Sequence, residues 1–172
     1  MPSPRALFAC ALALLLTACA GTPDVATAPD TTIILVRHAE KVADGSQDPP
    51  LTTQGQARAS ALATRFHGTP IKAVYSTPYA RTRQTATPTA LDHGLAVIEY
   101  DAKMPAEQFA QRLRQDAAGT TVLVVAHSNT VPGIAAALCQ CAVPEMSEAE
   151  YDRLMTVRIT TDGRATLEQA RQ

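Results

Sequence analysis

The apolar residues of this chain fall into short runs separated by longer stretches of helical spacing. Ile33-Ile34-Leu35-Val36 and Thr121 to Ala126 are continuous apolar runs of strand length, the pattern of strands buried on both faces. Ile71 to Tyr75 and Leu95 to Tyr100 read as two more. Between them the period changes to that of helices. Thr52 or Thr53 caps a helix running to about Phe66, with Ala57, Ala61, Leu62 and Phe66 on its buried face. Pro78 suits the first turn of a helix that stops at Gly94, and Met104-Pro105 opens one that buries Phe109 and Leu113 before Gly119. Thr130 to Leu138 is a fourth helix. Leu154 to Thr160 and Arg164 to Glu168, joined by Asp162-Gly163, read as a terminal hairpin.

Strands alternating with helices predict an α/β fold, a three-layer α/β/α sandwich around a mostly parallel central sheet. Such sheets bind ligands beyond the carboxyl ends of their strands. Three strand ends carry polar residues there: Arg37 and His38, Ser76 leading to Arg81, and His127 to Asn129. These residues are expected to converge at one rim.

The beginning of the chain follows a different pattern. Arg5 precedes the apolar stretch Ala6 to Leu16, which is too short to span a bilayer and of the right length for the core of a secretory signal. Leu16-Thr17-Ala18-Cys19 resembles a bacterial lipobox, which implies cleavage after Ala18 and a lipid on Cys19, leaving 172 − 18 = 154 residues. Ala18-Cys19-Ala20 also fits ordinary signal cleavage, which would release a soluble periplasmic protein beginning at Gly21. The placement of the cysteine favours the lipoprotein. The expected plan is therefore a signal peptide over 1–18, a lipid-anchored tether over 19–31 rich in Thr, Pro, Ala and Asp, and one domain over 32–172. That domain would face the periplasm, held to the envelope membrane, with Ala20 after the cysteine leaning toward the outer one.

Composition narrows the classes. A hydrophobic share of 46% against 18% charged residues is that of a folded globular domain rather than a disordered chain. A net charge of −1 lacks the basic field that collects nucleic acid, so no nucleic-acid partner is expected. With Cys10 in the leader and Cys19 at the lipid site, the domain keeps Cys139 and Cys141, whose spacing allows a disulfide, a soft-metal pair or two buried thiols. A structural role is preferred, since a CxC pair alone is too small for a metal site.

Four blocks then occur in order: Val36-Arg37-His38-Ala39-Glu40, Leu51-Thr52-Thr53-Gln54-Gly55, Ser76-Thr77-Pro78-Tyr79-Ala80-Arg81-Thr82-Arg83-Gln84-Thr85-Ala86, and Val124-Val125-Ala126-His127-Ser128-Asn129. Over about residues 32 to 138 the chain resembles the histidine phosphatase superfamily, the phosphoglycerate mutase-like proteins, with Ala39 where Gly is commoner. The resemblance implies a metal-independent phosphomonoesterase that uses no cofactor and acts on a small phosphorylated substrate. His38 would be the nucleophile, since a neutral imidazole can accept a phosphoryl group and divide hydrolysis into two displacements. Arg37 and Arg81 would grip the equatorial oxygens through forked donors, and His127, if charged, would add a third donor.

The general acid is harder to place among Asp101, Glu99 and Glu107. Glu107 answers a helix dipole and Glu99 alternates within a strand, so Asp101 is the choice. Short members of the family without a clear acid favour good leaving groups such as phosphohistidine. Glu40 would contact substrate or hold Lys41, Ser76 and Asn129 would donate to phosphate, and Thr52 would cap a helix. Arg83 is expected to be solvated or paired, and His67 and His93 to be satisfied at helix ends. Three other functions compete. A phosphomutase is disfavoured by the short stretch from Ala102 to Thr120, and a non-catalytic phosphate-binding envelope lipoprotein would follow from a missing acid. A His38/His127 metallohydrolase lacks closely spaced further ligands.

Overall fold

The computed structural model describes Met1 and residues 29–172, so the leader, Cys19 and most of the tether lie outside the described residues. The elements are β1 (Thr31–Arg37), α1 (Thr53–Phe66), β2 (Ile71–Ser76), α2 (Ala80–Asp92), β3 (Val97–Glu99), α3 (Ala106–Asp116), β4 (Thr121–Ala126), α4 (Val131–Cys139), β5 (Arg153–Ile159) and β6 (Ala165–Arg171). They build one six-stranded sheet in the order β3-β2-β4-β1-β5-β6. The first four strands run parallel, β5 is antiparallel to β1, and β6 returns along β5 as the predicted hairpin.

The layers follow from the two-residue period of a strand. In β1, Ile33 and Leu35 join Val122, Val124, Phe109, Leu113, Ile134 and Leu138 in the core under α3 and α4. Ile34 and Val36 point the other way, into a core with Val74, Leu123, Val125, Leu62, Ala86 and Ala90 under α1 and α2. This two-sided burial is why the β1 and β4 sequences are continuously apolar, and it makes the α/β/α sandwich that the pattern predicts.

Several boundaries differ from the sequence reading. β3 is an edge strand of only three residues, because Tyr100 leaves the sheet to stack on Phe109 with ring centroids 3.9 Å apart. In α1 the buried residues are Gly55, Ala59 and Leu62, with Ala57 and Ala61 exposed. Gly55 sets that rotation: a Cβ there would lie 2.2 Å from the Glu40 carbonyl oxygen, so the helix presses its first turn against the loop after β1. Helix α2 starts at Ala80, two residues after Pro78, because Tyr79 is still extended and Asp48 caps the Ala80 amide at 2.8 Å. Thr31 is already buried, as the first residue of β1.

Cys139 and Cys141 form a disulfide at the end of α4, with Cα atoms 5.2 Å apart. Gln140 between them is left-handed, at φ 53°, which turns the chain sharply enough for the two side chains to meet. Among the described residues no group of three His, Cys, Asp or Glu side chains is placed to hold a metal ion.

Candidate functional site

The register of the sheet brings the two histidines together. Arg37 pairs with Ala126 across β1 and β4, so the next residues, His38 and His127, leave neighbouring strand ends side by side. The His38 amide donates to the Ala126 carbonyl at 2.9 Å, and the imidazole centroids lie 5.4 Å apart in an edge-on arrangement. They share a cavity of about 400 Å³ with Lys41, Tyr79, Arg81, Ala102, Lys103, Ser128, Asn129, Thr130 and Glu148.

Each ring has an assignable proton. His38 Nδ1 lies 2.8 Å from the Ala39 carbonyl, which can only accept, so Nδ1 carries the hydrogen and Nε2 keeps its lone pair. Burial first, and then the neighbouring His127 and the charges of Arg37 and Arg81, push the pKa of His38 down to about 3 against the Ala39 hydrogen bond. The ring is therefore neutral and nucleophilic at neutral pH.

His127 is fixed through two threonines. Thr82 Oγ1 reaches the carbonyls of Thr77 at 3.0 Å and Tyr79 at 2.8 Å, which commits its proton. Thr77 Oγ1 then donates to Thr82 Oγ1 at 2.8 Å and accepts from His127 Nε2–H at 3.0 Å. This leaves Nδ1 of His127 unprotonated. Burial, followed by the charges of Arg81 and Arg37, lowers its pKa to about 4, with Glu148 opposing. The expected charged third donor is thus a neutral ring in this state.

The two arginines are held differently. Arg37, 1% exposed, gives Nη1 to the backbone carbonyls of Ser147 (3.2 Å), Glu148 (2.8 Å) and Glu150 (2.9 Å), and Nη2 to Glu148 Oε2 (2.9 Å). Its guanidinium carbon lies 4.0 Å above the centre of the Tyr151 ring. It is absent from the cavity lining, and the forked grip on substrate expected of it is spent on the segment 147–151 instead. Arg81 does line the cavity. Its Nε and Nη1 are buried without a hydrogen-bond partner, as is Nε of Arg37, and Asp48 approaches Arg81 only to 3.7 Å. Buried cationic N–H groups left without acceptors are costly, so this end of the cavity is built for an oxyanion.

The remaining expected residues separate into those in the cavity and those elsewhere. Asn129 lines it. Ser76 does not: its hydroxyl donates to the Thr77 carbonyl at 2.8 Å, and it is the neighbouring Thr77 whose hydroxyl reaches His127. Glu40 turns to α1 and binds Arg58 through three contacts of 2.6 to 3.0 Å. Partial burial would raise its pKa, but the hydrogen bonds from Arg58 hold it below the usual carboxylate range. Asp101 closes a turn, accepting from the Lys103 amide at 2.9 Å, and is absent from the lining. Glu99 pairs with Arg83 at 3.3 Å. Thr52 caps α1, accepting from the Gly55 amide at 3.0 Å.

The carboxylate that does line the cavity, Glu148, was not among the candidates. It accepts from Ser128 Oγ, and that bond, together with the charges of Arg37 and Lys41, holds its pKa below the usual range despite some desolvation. The sequence signal for it is slight: two acidic residues, Glu148 and Glu150, shortly after the buried anchor Met146. Tyr151 belongs to the same wall, its ring 6.2 Å from that of His38.

This geometry has relatives. The fold overlays the protein histidine phosphatase SixA bound to tungstate with a TM-score of 0.65 at 21% identity, covering 81% of this chain and 96% of that one. It overlays a mycobacterial glucosyl-3-phosphoglycerate phosphatase with a TM-score of 0.62 at 16% identity, covering 81% and 97%. A mutant phosphoserine phosphatase from Entamoeba histolytica, in complex with phosphoserine, gives 0.61 at 18%, covering 80% and 94%. No protein of curated description matches the chain. The sheet and its layers are those of the phosphoglycerate mutase-like fold, and residues 33–104, which carry His38 and Arg81, match the histidine phosphatase superfamily (branch 1).

Proposed function

We propose that the protein is a phosphatase that hydrolyses small phosphomonoesters or phosphoramidates through a phosphohistidine on His38, without a metal. The observation that carries this reading is the neutral His38, its Nε2 lone pair free, sharing a cavity with the unpartnered donors of Arg81. In the first step Nε2 attacks phosphorus, the bond from phosphorus to the leaving atom breaks, and that atom takes the electron pair. In the second, water attacks the phosphohistidine, the P–N bond breaks, and phosphate leaves as His38 regains its lone pair. Arg81 and Asn129 meet the charge on the transferring group, and His127 Nδ1 and Glu148 are the two bases available to the water.

A bound phosphoryl dianion also changes the state of His127. Its charge offsets that of Arg81 and raises the histidine's pKa, so that a proton can be shared between Nδ1 and a phosphate oxygen. Among the described residues that line the cavity, Glu148 is the one carboxylate, and it is held ionised. A leaving group that needs no proton is therefore favoured, which is why phosphoramidates and aryl esters stand beside alkyl esters in the proposal.

The lipobox-like Leu16 to Cys19 supports export and anchoring through Cys19 on the periplasmic side of the envelope, and a disulfide at Cys139–Cys141 accords with an oxidising compartment. The test is turnover of 4-nitrophenyl phosphate and a phosphoramidate by the full-length protein in detergent with excess chelator. Chelator-resistant turnover lost in His38→Ala is expected, whereas no turnover of either compound, or turnover abolished by chelator, overturns the reading. For the anchor, Cys19→Ala is expected to release the protein from membranes, and unchanged membrane association would refute it.

A further inference from the structure

Two lysines on separate loops line the same cavity as His38 and Arg81 and have no part in the steps above. Lys41 is seated by a short antiparallel bridge to Leu51, with the Val42 amide donating to the Pro50 carbonyl at 2.8 Å. Lys103 sits on the turn that Asp101 closes through the Lys103 amide at 2.9 Å and the Met104 amide at 3.0 Å. Neither side chain makes an ion pair or hydrogen bond among the described residues, yet both line the same cavity as His38 and Arg81. Two independently braced loops thus bring ammonium groups without an ion pair to one space.

Charge and volume agree on what that space is for. The lining carries three fixed cations, Lys41, Arg81 and Lys103, against one carboxylate, Glu148, which Arg37 already neutralises from behind. A phosphoryl dianion on Arg81 therefore leaves the charge of the two lysines for another part of the ligand. A cavity of about 400 Å³ falls within the range of small-molecule sites, roughly 300–1,000 Å³, and has room beyond a phosphoryl group for the rest of a ligand. Tyr79 and Ala102 supply its less polar surface.

We propose that Lys41 and Lys103 form a second anion subsite, so that the substrate is a small phosphorylated compound whose leaving group itself bears a carboxylate or a second phosphate. This rests on the phosphatase reading for turnover but not for binding, which separates the two in experiment. Asp101 then acts as the turn former that presents Lys103, which accounts for a carboxylate beside the cavity that does not enter it.

The experiment compares 4-nitrophenyl phosphate with its ring-carboxylated analogue in the full-length protein. It also measures the binding of inorganic phosphate and of phosphoglycolate by calorimetry. The carboxylated ester is expected to have the lower KM, by about 10-fold at low salt, and phosphoglycolate to bind more tightly than phosphate by a similar factor. Both preferences should collapse toward unity in Lys41→Gln/Lys103→Gln, and since each is a ratio within one preparation, partial unfolding cancels. A preference that is absent, or that survives the double substitution, overturns the subsite. A phosphoglycolate preference without turnover of any ester retains the subsite and sinks the phosphatase.

Discussion

Arg37 and Arg81 bring the same guanidinium group toward the same two histidines and are held in opposite ways. Arg37 is sealed against carbonyls of the segment 147–151, with Glu148 and the face of Tyr151 completing its surroundings. Arg81 stands in the first turn of α2, half-buried, with two of its nitrogens unpartnered. One guanidinium spends both terminal nitrogens on the wall of the cavity and leaves only Nε unpartnered, while the other keeps two nitrogens for what enters it. Identical chemistry at two strand ends therefore divides into architecture and binding, and the division is set by which loop can reach each residue.

The comparison breaks most sharply through substitution. Arg81→Ala should lower kcat/KM by about 100- to 1,000-fold, as removal of one oxyanion donor does, with little change in thermal stability. Steady-state kinetics beside a melting curve checks both halves, and a large stability loss would contradict the assignment. Arg37→Met should instead destabilise the fold by about 1–3 kcal/mol, because it removes the contacts that hold the backbone of the segment 147–151. Denaturant unfolding measures this, and a stable, correctly folded Arg37→Met protein that has lost only activity would reverse the roles. Glu148, with a side chain 80% exposed, should cost under about 1 kcal/mol on conversion to Gln.

The histidines add a pH signature. Both have pKa values depressed below the unfolded 6.5, to about 3 for His38 and about 4 for His127. The unfolded chain therefore binds protons in a window where the folded one does not. Stability is fully present above about pH 6.5, is lost as pH falls toward about 4, and stops changing on their account below about 3. Replacing His127 with Gln should flatten the slope just below about pH 6.5, where the unfolded histidine takes up its proton, and an unchanged slope would contradict its burial as a neutral ring. The smallest effect is on Thr77. Thr77→Val removes the acceptor that fixes the His127 tautomer and should cost about 10-fold in kcat while shifting the pH profile, whereas Thr77→Ser should restore both.

Much of this site is written in local sequence. The strand-end rule places His38, His127 and Asn129 at one rim, because β1 and β4 are apolar on both faces and their ends are unmistakable. Motif letters that carry no chemistry also find reasons: Thr85 Oγ1 accepts from the Ala39 amide at 2.9 Å, Gln84 Oε1 accepts from the Leu51 amide at 2.7 Å, and Gly55 allows α1 to touch the Glu40 carbonyl. Each fixes the loop that bears His38.

What the sequence conceals depends on distant partners or on a single residue of register. Ser76 and Thr77 are adjacent hydroxyls at a strand end, and only the backbone path decides which of them faces His127. Glu40 follows the nucleophile directly, yet Arg58 draws its carboxylate away from the cavity. Glu148 reaches the cavity because Arg37, 111 residues earlier, gathers its segment, and no periodicity announces such a contact.

The most direct test of the account is isolation of the covalent intermediate. The full-length protein, mixed briefly with a phosphorus-32-labelled aryl phosphate and quenched in alkali, should carry a label that is stable to base, labile to acid and mapped to His38. It should be absent from His38→Ala and should accumulate more slowly in Arg81→Ala. Turnover of the same ester with no label on His38, or with label on another residue, would contradict the assignment of His38 as the nucleophile.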